Sequence, residues 1–135
     1  TGQNLTPIKG WAQFDAMVLR NPRPVLVEFN KDPCPTCDIQ KAEIDTLVPE
    51  FQDRVFFASM TIMVGAFDVT EKEVKDRYNI TWVPTTILFI NGREVKRWEL
   101  NHMAMEIRQT LNDELAKLPP PRTRTSTVGG GSLWR

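Results

Sequence analysis

Pro24-Val25-Leu26-Val27-Glu28-Phe29-Asn30 and, four residues on, Cys34-Pro35-Thr36-Cys37 decide how this chain folds. The first stretch is short, mostly apolar and rich in β-branched residues, the composition of a strand buried on both faces. From Cys37 the period changes, with Ile44, Leu47, Val48 and Phe51 at i, i+3, i+4 and i+7, one face of an amphipathic helix. The two cysteines therefore stand where a buried strand hands over to a helix.

Working outward, Trp11, Phe14, Met17 and Val18 recur at helical spacing and predict a helix over about residues 10–20, ended by Pro22 and Pro24. The apolar stretch from Val55 to Phe67 exceeds one strand and predicts a strand plus a loop around Gly65. Thr70-Glu71-Lys72-Glu73 has the form of a capping box, so a short helix is expected from there to about Tyr78. Thr86 to Ile90 reads as a strand, Asn91-Gly92 as a two-residue hairpin turn, and Glu94 to Trp98 as the returning strand. Ala104, Ile107, Leu111, Leu115 and Leu118 form one stripe of a last helix. Strands alternating with helices, then a terminal hairpin, make an α/β domain with a mixed sheet covered by helices on both faces.

The 135 residues, 41% of them hydrophobic, suit a single domain able to bury a core without structural metals or disulfide staples. No apolar run is long enough to span a bilayer, and no signal-like or arginine-rich leader opens the chain at Thr1. All 17 acidic residues precede residue 119, where they meet 14 basic ones, so the body carries −3 and the last 17 residues, with three arginines, +3. A mildly acidic body argues against nucleic acid as a partner. Residues 1–118 form the expected domain. Residues 119–135, with three consecutive prolines and Gly129 to Gly131, read as a flexible tail: a linker, a docking peptide ending in Leu133-Trp134, or an expression scar.

Chemistry points to the cysteine pair. Pro35 at the first helical position loses nothing by lacking an N–H, which places Cys34 at the helix cap and Cys37 one turn inside. Unpaired N–H groups and the positive helix end favour a thiolate at Cys34, the attacking sulfur, and Cys37 is near enough to close a disulfide and resolve a mixed disulfide. Two other readings stand beside this one. The pair is half of a zinc or iron–sulfur site shared by a dimer, although His102 is the only further soft ligand; or both are inert core cysteines.

Val25 to Phe29, the CxxC and its helix, and Trp82-Val83-Pro84-Thr85-Thr86-Ile87-Leu88-Phe89-Ile90-Asn91-Gly92 together resemble the thioredoxin family over roughly Leu5 to Lys117. The resemblance implies the thioredoxin fold, Cys34 as nucleophile and Cys37 as resolving thiol. It makes Pro84 the family's cis-proline, Val83 a backbone partner for an extended substrate, and Glu28 the buried acid that takes the Cys37 proton. Trp82 is then an apolar wall beside the cysteines, with Pro33 and Pro35, or a packing residue. Met60, Met63, Met103 and Met105 read as gap-fillers. Departures from the family pattern are Pro33 in place of tryptophan, a Pro-Thr dipeptide, Ala42 where a kinking proline is usual, and no lysine between Arg54 and Lys72. The third strand region is also longer. These changes leave the redox potential and natural partners open.

The function expected is thiol–disulfide exchange on protein disulfides, with no bound cofactor or metal, and with electrons from a reductase or another dithiol protein. A monomer is expected. The alternative is a redox-sensing adaptor whose tail docks a partner. Having only the active-site pair, together with the family resemblance, slightly favours a cytoplasmic protein, while an exported or periplasmic one can also carry just this pair.

Overall fold

The computed structural model describes residues 4–119. Strand β1 is Thr6–Pro7, and helix α1, Gly10–Phe14, runs on through a π-helical turn over Asp15–Leu19. Strand β2, Val25–Asp32, leads to α2, Pro35–Asp45, and a short α3, Val48–Phe51. Strand β3, Phe56–Val64, turns at Gly65 into β4, Asp68–Val69, followed by α4, Lys72–Arg77. Strands β5, Thr85–Ile90, and β6, Arg93–Glu99, form the hairpin, and α5, Ala104–Ala116, closes the described chain.

The sheet runs β1-β3-β2-β5-β6, with β4 beside β3. Strands β1, β3 and β2 are parallel, and β5 and β6 are antiparallel to their neighbours, so the sheet is mixed as expected. Alternation along the central strand β2 sorts the core. Val25, Val27 and Phe29 join Phe14, Val74, Ile80 and Phe89 on one face. Leu26 joins Ile44, Phe51, Leu88, Trp98, Ile107 and Leu111 on the other, beneath α2 and α5. Burial on both faces explains the near-continuous apolar run.

Local chemistry sets the turns. Asn91 and Gly92 have φ of 54° and 76°, as the tightest hairpin turn requires, and a Cβ on Gly92 would stand 2.6 Å from the Leu19 carbonyl oxygen. The helix expected to continue past Ile44 breaks at Thr46–Leu47. The Thr46 hydroxyl donates to the Glu43 carbonyl at 2.6 Å, and Pro49 has no N–H to continue the ladder. Thr70 does not cap α4: its hydroxyl donates to the Thr61 carbonyl, and Glu71 stands at the cap position. Met60 is buried as a gap-filler, but Met103 and Met105 are 70% and 78% exposed. Among the described residues no helix is long and apolar enough to cross a membrane. The proposed 119–135 tail lies, but for Pro119, outside the described residues.

Candidate active site

The carboxyl end of β2 delivers the chain directly to Cys34, which occupies the N-cap of α2 with Pro35 in the first turn. Its Sγ accepts a hydrogen bond from the Cys37 N–H at 3.1 Å, and the Thr36 hydroxyl lies 3.5 Å from the same sulfur. Cys34 and Cys37 form a disulfide, with Cα atoms 5.2 Å apart. Cys34 is the more exposed of the two, at 6% against 1%. Helix-end donors and helix dipole thus act on Cys34, while Cys37 is shielded behind it.

Glu28 is fully buried, on the face of β2 that α2 covers, and so is not a solvent-facing strand residue. Desolvation pushes its carboxyl up from 4.5 to about 7; a hydrogen bond from Asn30 and the Lys41 charge oppose that shift, and Asp38 adds to it. Asn30 is the hydrogen-bonding partner of this acid: its Nδ2 donates to Glu28 Oε1 at 2.6 Å.

The Val83–Pro84 peptide is cis, as is Asp32–Pro33, whose geometry nothing in the sequence had suggested. Pro84 is buried, Val83 half-buried and Trp82 54% exposed. Phe29 pairs with Thr85, so Pro84 stands one residue beyond that pair, at the end of the sheet where β2 runs on to Cys34. A third wall comes from the segment after β6. Leu100, at φ 66°, donates its N–H to the Pro84 carbonyl at 2.7 Å, and Asn101 Nδ2 donates to the Thr36 carbonyl at 2.8 Å. Buried Gln40 clamps this segment to α2, accepting from His102 N–H at 2.6 Å and donating to its carbonyl at 3.0 Å. Sequence reasoning missed Gln40 and Asn101. The signal for Gln40 was present: a polar residue on the buried stripe Cys37, Gln40, Ile44. Trp98 belongs to the core of β6 rather than to this wall.

The thioredoxin family model matches residues 7–113. This chain belongs to the thioredoxin family. It is 30% identical to a thioredoxin of Mycolicibacterium smegmatis over 84 residues, which is 62% of this chain and 71% of that one. It is 31% identical to the chloroplastic thioredoxin Y of Oryza sativa subsp. japonica over 113 residues, 79% of this chain and 61% of the relative. A thioredoxin of Griffithsia pacifica is 28% identical over 82 residues, 61% of this chain and 70% of that one. A chain from a structural study of thiol resolution in yeast mitochondrial 1-Cys peroxiredoxin via glutathione/thioredoxin systems superposes with a TM-score of 0.69. It covers 84% of this chain and 98% of its own, at 13% identity, a likeness of fold alone. With its CxxC pair at disulfide distance, this thioredoxin-family chain is a thiol–disulfide oxidoreductase.

Proposed function

We propose that this protein reduces or exchanges protein disulfides, with Cys34 as nucleophile and Cys37 as resolving thiol. The observation that carries the reading is the Cys34 Sγ at the N-cap of α2, accepting the Cys37 N–H at 3.1 Å. In the reduced protein the Cys34 thiolate attacks one sulfur of a substrate disulfide, forms a mixed disulfide and releases the other sulfur as a thiolate, which takes a proton from solvent. Glu28 accepts the Cys37 proton, and the Cys37 thiolate attacks Cys34 Sγ. The second substrate sulfur leaves, the Cys34–Cys37 disulfide forms, and two electrons have passed to the substrate. A reductase or another dithiol protein then returns two electrons. The chain works as a monomer without a bound cofactor.

Val83 backbone groups and Pro84 hold an extended substrate strand beside Cys34, and exposed Trp82 supplies an apolar contact. The test is trapping. Cys37→Ser accumulates mixed disulfides with protein substrates, Cys34→Ser forms none, and a Cys37→Ser protein that traps nothing overturns the assignment. A reduction potential near about −270 mV fits a reductant, and one of roughly −180 to −120 mV an isomerase or oxidant.

A further inference from the structure

Glu28 on β2 lies directly opposite Thr86 on β5 and beside Ser59 on β3. Directly opposed residues share a face of the sheet, so Thr86 stands with Glu28 on the side that α2 covers. Both residues are fully buried. The carboxyl is partnered on one oxygen only. Asn30 Nδ2 donates to Oε1 at 2.6 Å, and the Thr61 hydroxyl donates to Asn30 Oδ1 at 2.7 Å, which holds the amide with its NH2 towards the acid. Among the described residues two buried side-chain polar atoms lack a hydrogen-bond partner: Glu28 Oε2 and Thr86 Oγ1. Both fall on this one opposed pair.

The donor chemistry of the two neighbours differs. An amide NH2 only donates, so the oxygen it holds must stay an acceptor, and a protonated Glu28 carries its hydrogen on Oε2. A hydroxyl donates or accepts, so it can serve Oε2 in either protonation state by rotating its hydrogen. A purely apolar residue at 86 could do neither. We infer that Asn30 and Thr86 divide the Glu28 carboxyl between them: Asn30 fixes Oε1, and the Thr86 hydroxyl, through one bridging water, serves Oε2 as the oxygen that takes and returns the Cys37 proton. Thr86 is thus a positioning residue, and the inference rests on the proposed role of Glu28. The charged groups acting on the carboxyl, Lys41 and Asp38, both come from α2. From the sheet, Ser59, Thr61, Thr86 and Trp98, which pairs with Thr86, present none.

The test titrates the reduced full chain by NMR. In the unmutated protein the Thr86 methyl and the Asn30 side-chain amide shift with the same midpoint as the Glu28 carboxyl carbon. A Thr86 methyl that stays flat through that midpoint overturns the inference, whatever the variants do. Thr86→Val removes the hydroxyl at nearly constant volume. Hydrogen bonds to a charged acceptor are stronger than those to a neutral one, so the Glu28 midpoint rises by about one pH unit in this variant. The pH profile of disulfide reduction follows it, and Thr86→Ser restores both. If Thr86→Val changes neither while Glu28→Gln does change the profile, Thr86 has no such role. If Glu28→Gln leaves the profile unchanged, it is the role of Glu28 that fails.

Discussion

At one end of the β2–β5 pair, Val25, Leu26 and Val27 face Phe89, Leu88 and Ile87, and every opposed side chain is apolar and buried. Further along the same two strands, Glu28 faces Thr86 and Phe29 faces Thr85, and within a few residues the chain reaches two cis peptides and the disulfide. The backbone ladder is continuous across both regions; the difference lies in the side chains. Apolar pairs contribute stability in proportion to area removed from water. A buried carboxyl and a buried hydroxyl with unpartnered atoms cost stability instead. The second region keeps groups that weaken the fold, and they are the groups that the proposed redox chemistry would use.

The largest effect belongs to the second region. Cys34→Ser eliminates disulfide reduction in an insulin turbidity assay while the melting temperature of the fold stays near that of the reduced parent. Leu88→Ala, in the apolar region, should do the opposite. Its side chain is 1% exposed, so truncation costs about 2–5 kcal/mol in denaturant unfolding, with the reduction potential unchanged. A Leu88→Ala protein with altered potential would blur the division between the two regions.

Glu28→Gln sharpens the contrast. The folded protein holds the Glu28 proton more tightly than the unfolded chain, because burial raises the carboxyl from 4.5 to about 7. Stability from this group is therefore present at low pH and lost as pH rises through that window, with a total loss of about 3 kcal/mol. Glu28→Gln should accordingly be more stable than the parent at pH 8, less so at pH 5, and slower to turn over. Equal stability of the two proteins from pH 5 to 8 would contradict the burial cost.

Much of this was legible beforehand. The strand before Cys34, the CxxC at a strand–helix junction and the Asn91-Gly92 hairpin are local signals, each set by the chemistry of a few adjacent residues. Strand β1, two residues paired with Ala58 and Ser59, has no such signal and exists through its partner. The break in the second helix escaped because apolar spacing runs unbroken through Ile44, Leu47, Val48 and Phe51, and Pro49 and the Thr46 hydroxyl override it. The Glu28 surroundings escaped for another reason. That Thr86 faces Glu28 depends on strand register between segments almost 60 residues apart, and no local pattern encodes it.

Two smaller effects lie away from both regions. Gly92→Ala should cost about 1–2 kcal/mol, because φ 76° disfavours any Cβ and this one would press on the Leu19 carbonyl at 2.6 Å. Thermal unfolding reads it, and an unchanged melting temperature would mean the hairpin relaxes freely. Arg108→Ala breaks the exposed ion pair with Glu50, at 2.8 Å, and should leave thermal stability and turnover close to those of the parent, since solvent screens such pairs.

The most direct test of the central claim is the pH dependence of alkylation of the reduced protein, with each cysteine followed by mass spectrometry. Cys34 should react first, with a midpoint below the ordinary thiol value of about 8.5, while Cys37 stays protected. If Cys37 reacts first, or both cysteines titrate together near that ordinary value, the N-cap of α2 does not activate Cys34, and the assignment of nucleophile and resolving thiol fails.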